Sequence, residues 1–209
     1  SDVARIAAEA GARARCVHLD VPIEEAENNV VWRMLERYGR LLGGEELARA
    51  RKDDPQLLDP TSLRRLARSL EVPEADEGFS SVETVPFVRD PWPGGPGLAI
   101  AARAAARPGA IEAIAARPLP GPALVFGWSL RGVDAHAVAA DLARATGKEV
   151  DVGLCAHGEG PPTCWCRPPL PGLALAFARA RGVDPRKMVL FAESSADRAL
   201  AARLGATLG

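Results

Sequence analysis

The sequence predicts an α/β protein with parallel sheets, because stretches typical of strands and of helices alternate along most of the chain. Apolar runs such as residues 123–128 and 188–191 have strand character. The segments that follow them begin near Asp or Ser and end at Gly, as helices do. Alternation of this kind is typical of βαβ units. With 209 residues, 47% of them hydrophobic, the chain has the composition of one or two globular domains.

Charge and hydropathy exclude several classes of protein. A formal net charge of -1 gives no whole-molecule field that would attract nucleic acid or an anionic membrane. The 23 Arg against three Lys indicate a compositional bias, which lowers the weight of any arginine cluster. No apolar stretch reaches the ~20 residues of a membrane span, and no secretory signal opens the chain. We therefore predict a cytoplasmic protein without a membrane partner.

The first ninety residues predict one α/β portion. Residues 3–10 favour a helix, residues 16–21 a buried strand, and residues 22–42 an amphipathic helix. Two shorter helical patches and a strand follow, over 45–52, 60–70 and 81–88. Cys16 is interpreted as a small buried residue of the first strand. The chain begins with Ser1 rather than Met, which indicates either a processed start or a piece of a longer polypeptide.

The second half follows a stretch of turn-forming residues. Residues 90–97 (DPWPGGPG) predict a domain boundary, with one unit over 1–90 and another over 96–209. After this boundary, the alanine-rich residues 98–121 predict two short helices broken at Pro108-Gly109. Strands over 123–128, 148–155 and 188–194 then alternate with helices over 133–147, 169–182 and 195–205.

A loop over residues 155–166 carries the strongest chemical signal. It brings three thiols and one imidazole together: Cys155, His157, Cys164 and Cys166. This donor set suits a tetrahedral Zn²⁺ site, and four protein ligands leave no open position for water, so the sequence predicts a structural zinc. The alternatives are a disulfide or cysteines placed by chance. Trp165, between two of the ligands, either covers the loop or serves as an exposed recognition residue.

The residues around this loop resemble a known family. The loop, Arg167-Pro168-Pro169-Leu170-Pro171-Gly172 and the later stretch FAESSADRALAARLG (191–205) are similar to haloacid-dehalogenase (HAD) superfamily phosphatases. They resemble the zinc-loop branch that contains heptose-bisphosphate and histidinol-phosphate phosphatases. The resemblance covers about residues 120–209 and implies a HAD-like Rossmannoid domain with a parallel sheet.

The first ninety residues resemble the lid portion of a P-loop kinase of the polynucleotide-kinase type. A strand (CVHLDVP) leads into a helix (NVVWRMLERYGRLL), and a strand (VETVPFV) closes the unit. Kinase followed by phosphatase is the order found in certain bacterial polynucleotide kinase/phosphatase-like proteins. The resemblance implies that Arg33 and Arg37 contact ATP phosphates, with Mg²⁺, when a phosphate loop lies upstream. The alternative is a solvated helix face, and the 209 residues contain no G-x-x-x-x-G-K-[ST].

The departures from the phosphatase pattern are as informative as the matches. Residues 91–125, where the family has its catalytic D-x-D, contain no Asp. Pro168 stands in place of the family's lysine, and Glu193 and Asp197 are the remnants of its metal-binding motif. The hydroxyl expected after the second strand falls at Gly127, with Ser129 close by. We interpret the domain as a degenerate phosphatase without catalytic activity.

Three residues are candidates for binding an anion. Ser194 and Ser195 open a helix, where they serve either as N-cap residues or as part of a phosphate site. Arg167 follows the last zinc ligand directly.

Two functions follow from these observations. The first is the C-terminal part of a polynucleotide kinase/phosphatase-like protein, stabilised by zinc and joined to an upstream kinase segment. The alternative is a non-enzymatic zinc-binding module that contacts protein, nucleic acid or a phosphorylated ligand.

Overall fold

The computed structural model describes residues 2–119, 121–160 and 162–209. Its helices are α1 (Asp2–Glu9), α2 (Ile23–Tyr38), α3 (Gly44–Asp53), α4 (Pro60–Ser69), α5 (Ala102–Ala105), α6 (Ala110–Ala115), α7 (Ala135–Thr146), α8 (Gly172–Arg181) and α9 (Ser195–Leu204). Its strands are β1 (Arg15–Asp20), β2 (Ser81–Pro86), β3 (Gly95–Ala101), β4 (Ala123–Trp128), β5 (Val150–Cys155), β6 (Val183–Phe191) and β7 (Thr207–Leu208). Within these ranges no helix combines the length and the apolar character needed to cross a bilayer.

A five-stranded sheet organises the second half of the chain. Its strands lie in the order β5-β4-β3-β6-β7, and all neighbouring pairs are parallel. This order, in which the chain starts at the central strand and builds outward to both sides, is typical of doubly wound sheets. The carboxyl ends of β3, β4 and β6 therefore meet at one edge of the sheet. The prediction of an α/β fold with parallel sheets is confirmed.

The central strand β3 was not predicted correctly from the sequence. Residues 98–101 were expected to be helical, but they all pair with β4, and residues 98–100 pair with β6 as well. Leu98, Ala99 and Ile100 are all fully buried. Small and branched apolar residues fill the limited space between two helical layers, and this burial outweighs the helix propensity of alanine. The two short helices of the prediction exist as α5 and α6, on either side of Pro108-Gly109.

A separate two-stranded parallel sheet lies in the first half, where β1 pairs with β2 from Arg15↔Ser81 to Asp20↔Pro86. The expectation of a buried strand at β1 is wrong, since Val17 is 49% exposed and Leu19 62% exposed. Cys16 is half-buried rather than buried. With only two strands paired, the described part of the chain does not enclose both faces of this sheet.

Helix α2 packs against the second half of the chain. Val31, Met34 and Leu35 are buried in the same hydrophobic core as Trp165 and Leu175. The helix ends at Gly39, which adopts a left-handed conformation with φ 69°, so the helix is shorter than the sequence predicted. The hydrophobic core that contains α2 includes residues from both sides of positions 90–97. The domain boundary expected there stays a prediction.

A buried carboxylate joins three helices. Glu27 on α2 is 0% exposed. Its Oε1 accepts hydrogen bonds from Nε and Nη2 of Arg64 on α4, at 3.0 and 2.9 Å. Its Oε2 accepts a hydrogen bond from Nε of Arg203 on α9, at 2.9 Å. Two guanidinium groups thus compensate one charge, which fixes α2 and α4 on the five-stranded unit.

We expect Glu27→Gln to lower the free energy of unfolding by about 2 kcal/mol or more, because it leaves two guanidinium groups without their shared carboxylate. Urea denaturation followed by circular dichroism measures the change. Glu71→Gln, at an exposed position, is the control and should change stability by less than about 0.5 kcal/mol. Equal stability of the two variants would contradict the structural role of Glu27.

Candidate metal centre and neighbouring cleft

The candidate metal ligands lie between β5 and α8. Cys155 is the last residue of β5, and His157 follows two residues later. Cys164 and Cys166 precede α8, where the backbone is held by a hydrogen bond from Gly172 N to Trp165 O at 2.9 Å. A Cβ at Gly172 would lie 2.5 Å from this carbonyl oxygen, so the close approach requires glycine. The end of a strand and the start of a helix therefore present the four side chains to one point.

The four ligand atoms are close enough to hold one metal ion. One atom from each of Cys155, His157, Cys164 and Cys166 lies within 4.8 Å of all the others. Sγ of Cys155 is 3.3 Å from that of Cys166 and 3.7 Å from that of Cys164. Nδ1 of His157 is 3.2 Å from Sγ of Cys166. Ideal tetrahedral zinc places such sulfurs about 3.8 Å apart. All four cysteines are free thiols, so the disulfide alternative is not what the structure contains.

The thiols perturb one another's ionisation. Hydrogen bonding with Cys155, and then with Cys164, raises the pKa of Cys166. Hydrogen bonding with Cys164 likewise raises the pKa of Cys155. The pKa of Cys164 is lowered, because the thiols of Cys155 and Cys166 stabilise its thiolate. The three thiols thus change one another's ionisation, and a cation bound between them would displace thiol protons.

The loop also contacts the segment that contains α3 and α4. Gly43 and Cys164 form an antiparallel bridge, and Gly44 N donates to Thr163 O at 3.4 Å. Trp165 is 0% exposed, and its Nε1 donates to Leu58 O at 3.0 Å. Of the two alternatives for Trp165, the structure places it in the core, where it joins the loop to the α3–α4 segment.

Gly43 is a further member of the site, because it makes room for the imidazole. A Cβ at this position would lie 2.5 Å from Nε2 of His157 and 3.3 Å from Cβ of Cys164. This role of Gly43 was not predicted from the sequence, since the contact joins parts of the chain that are distant in sequence.

Arg167 donates hydrogen bonds to the loop over residues 155–166, here called the metal loop. Its Nη1 donates to Gly160 O at 2.7 Å and its Nη2 to Gly158 O. Its guanidinium lies 4.2 Å from the centre of the Trp128 ring, whose Nε1 donates to His157 O at 2.8 Å. These contacts hold the loop over the end of β4. Anion binding by Arg167 stays a prediction.

A cleft of about 540 Å³ opens at the carboxyl edge of the five-stranded sheet. Several residues that the sequence resemblance to phosphatases singled out line this cleft. They are Gly127, Ser129, Pro168, Glu193, Ser194 and Asp197. Arg103, just beyond β3, donates from Nη2 to Ser129 O at 2.6 Å. Arg107 donates to Glu193 at 2.5 Å. Neither arginine was predicted from the sequence, because residues 98–101 were expected to be helical and not to form the strand that leads into this cleft.

The first turn of α9 faces the same cleft. Ser194 is the N-cap, with its Oγ accepting from Asp197 N at 3.2 Å. Asp197 Oδ2 in turn accepts from the backbone N–H groups of Ser194 and Glu193, at 2.8 and 3.1 Å. The N-cap interpretation of Ser194 is confirmed. The carboxylate of Asp197 thus already accepts hydrogen bonds from two backbone amides of this turn. Anion binding by Ser194 and Ser195 stays a prediction.

The two arginines of the kinase-like interpretation lie away from this cleft. Arg33 donates from Nη1 to Gln56 Oε1 at 2.9 Å, and Arg37 from Nη1 to Asp54 Oδ2 at 2.7 Å. Both guanidinium groups contact the turn between α3 and α4. Contact of Arg33 and Arg37 with ATP stays a prediction.

Comparisons with known proteins add little to these observations. No protein-family model and no curated protein matches the chain. The chain is similar to one solved structure, that of a HAD-superfamily hydrolase, subfamily IA, variant 1, from Geobacter sulfurreducens PCA. The two chains are 17% identical, with 94% of this chain and 88% of that chain covered and a TM-score of 0.31. A likeness of this size assigns neither a substrate nor a reaction to this chain.

We expect Gly43→Ala to weaken metal binding at least tenfold, because the added methyl group displaces the imidazole of His157. Competition with a chromophoric chelator measures the affinity. Gly158→Ala, in the loop over residues 155–166, is the control, since a Cβ there meets nothing within 4 Å. Equal affinities of the two variants would show that Gly43 does not shape the site.

Proposed function

We propose that Cys155, His157, Cys164 and Cys166 bind one structural Zn²⁺. The observation that carries this proposal is the convergence of three thiols and one imidazole within 4.8 Å. Zinc favours this donor set, and a full set of protein ligands leaves no position for a reactive water. When bound, the ion supplies positive charge that holds the thiolates together. The residues of the loop then fix the α3–α4 segment through Gly43 and Leu58.

We propose further that the five-stranded unit is a HAD-like domain whose phosphatase site is degenerate. The sheet order, the metal loop and the position of the cleft support this assignment. Phosphoryl transfer in that family needs a carboxylate nucleophile beside Mg²⁺, but Ala101, Ala102 and Arg103 occupy the end of β3. Asp197 caps α9 and Glu193 pairs with Arg107. The cleft is therefore a binding surface rather than a hydrolytic site.

The finer proposal is that the chain is the C-terminal part of a polynucleotide kinase/phosphatase-like protein. The order of strand, helix and strand in residues 15–86 supports it. The alternative, a non-enzymatic zinc-binding module for protein or nucleic-acid contact, is favoured by the burial of α2 and by the internal hydrogen bonds of Arg33 and Arg37. The lid helix of a kinase has to move, whereas the hydrogen bonds of Arg33 and Arg37 hold α2 in place.

The purified protein should contain one zinc ion per chain by elemental analysis. Cys164→Ser should lose most of this metal and melt at a lower temperature, because one of four ligands is gone. Cys16→Ser is the matched control and should keep both metal and melting temperature. A zinc content below about half an ion per chain, or a Cys164→Ser variant that behaves like the control, would refute the zinc proposal.

The protein should not hydrolyse p-nitrophenyl phosphate or sugar phosphates in the presence of Mg²⁺, because no carboxylate follows β3. Release of inorganic phosphate measures the rate against buffer alone. Mg²⁺-dependent turnover that disappears in Glu193→Gln or Asp197→Asn would contradict the proposal of a degenerate site.

ATP binding distinguishes the kinase-like proposal from the non-enzymatic one. Under the kinase-like proposal, calorimetric titration of the longest natural form of the polypeptide with ATP and Mg²⁺ should show saturable binding that Arg33→Ala and Arg37→Ala weaken. A full-length protein that does not bind ATP would leave the zinc-binding module as the function.

A further inference from the structure

The cleft at the carboxyl edge of the five-stranded sheet carries a cation where the resembled phosphatases carry carboxylates. Arg103 follows β3 closely and lines the cleft. The catalytic D-x-D of those phosphatases falls in the same stretch of sequence, but residues 91–125 of this chain contain no Asp. The charge at this wall is therefore opposite to that of a Mg²⁺-dependent phosphate site.

The guanidinium of Arg103 is oriented but not neutralised. Its Nη2 donates to Ser129 O at 2.6 Å. Ser129 adopts a left-handed conformation with φ 55°, which is uncommon for a residue other than glycine and fixes the turn after β4. Arg103 forms no ion pair with a carboxylate of the described residues, and its remaining N–H donors have no acceptor there. A guanidinium with free donors at the wall of a cavity suits an anionic group.

The other charged groups of the lining are already compensated. Glu193 pairs with Arg107 at 2.5 Å. Asp197 accepts hydrogen bonds from two backbone amides in the first turn of α9, where the helix dipole offsets part of its charge. Arg167 lies outside the lining, and its guanidinium donates to carbonyl groups of the metal loop. The lining is thus left with one uncompensated positive charge, that of Arg103.

Apolar side chains occupy two positions where the resemblance to phosphatases expects polar contacts with phosphate. A Cβ at Gly127 would lie 2.7 Å from Cδ2 of Leu130, so Leu130 fills the space that a hydroxyl-bearing side chain would need. Pro168 stands in place of the family's lysine, and the half-buried Trp128 lies in the same lining. A wall of this kind suits the hydrocarbon part of a ligand.

We propose that the cleft binds a small organic monocarboxylate with an apolar body, and that it does so without Mg²⁺. The carboxylate accepts hydrogen bonds from the donors of Arg103 that Ser129 leaves free, and the body lies along Leu130, Trp128 and Pro168. A phosphate ester carries close to two negative charges at pH 7, more than this lining compensates, so a carboxylate is the better match. The inference rests on the proposal that the cleft binds rather than hydrolyses.

Three probes of similar size test this site on the full chain in buffer without Mg²⁺. Phenylacetate has the ring and one charge, 2-phenylethanol has the ring without the charge, and phenyl phosphate has the ring with a larger charge. Calorimetric titration, or the chemical shift of the Trp128 indole, should show saturable binding of phenylacetate at about millimolar affinity. The alcohol should bind at least tenfold more weakly, phenyl phosphate should bind more weakly than phenylacetate, and added Mg²⁺ should change nothing.

Several outcomes would overturn the carboxylate site. They are the lack of saturable phenylacetate binding, equal binding of phenylacetate and 2-phenylethanol, phenyl phosphate binding as tightly as phenylacetate, and a requirement for Mg²⁺. The proposed loss of phosphatase activity is tested separately by release of phosphate from phenyl phosphate. Turnover with Mg²⁺ would refute the degenerate site itself, whereas the lack of both turnover and binding would refute only the carboxylate site.

Variants then locate the binding. Arg103→Gln should weaken phenylacetate binding at least tenfold, because it removes the charge and the donors of the guanidinium. It should leave the weak binding of 2-phenylethanol unchanged. Arg65→Gln is the matched control, since Arg65 is also exposed and lies on α4, which contributes no residue to the cleft. Equal phenylacetate affinities of the two variants would refute the site.

Discussion

The convergence of four ligand atoms on one point is the constraint on which much of the structure depends. To bring Cys155 and Cys166 within 3.3 Å, the loop must fold back on itself between β5 and α8. This fold places Trp165 in the core and Cys164 against Gly43. The α3–α4 segment has little apolar surface of its own, with Leu47 and Leu57 among its few fully buried side chains. Its position therefore depends also on the loop, on the ion pairs of Glu27 and on the hydrogen bonds of Arg33 and Arg37.

Arginine contributes much of the contact between helices and loops. Arg64 and Arg203 enclose Glu27, and Arg89 lies 4.5 Å from the ring centre of Trp92. A planar guanidinium can donate in its plane and stack on an aromatic face at the same time. In a chain with 23 Arg and three Lys, these residues thus act as packing groups. Their number alone did not indicate a partner, and several of them satisfy internal carboxylates instead.

The cluster of candidate metal ligands could be predicted from the sequence because its signal is local, with Cys155 to Cys166 inside twelve residues. The helices after Asp134 and Ser194 could be predicted for the same reason, since N-caps act on the next turn. Strand β3 could not be predicted in this way. Residues 98–101 form a strand because β4 and β6 lie on either side of them. Gly43 and Glu27 matter through contacts with distant segments, and the exposure of β1 depends on how many strands join it. No local pattern reports such contacts.

The sequence separations at the metal loop set an order of folding events. The sulfurs of Cys155 and Cys164 are nine residues apart, whereas Trp165 and Leu58, which the same loop joins, are 107 residues apart. Closing a short loop costs less chain entropy than closing a long one, and local contacts form sooner. The ligand loop is therefore able to close early, while the α3–α4 segment is still unattached. We therefore expect the contact between Trp165 and Leu58 to form after the loop has closed.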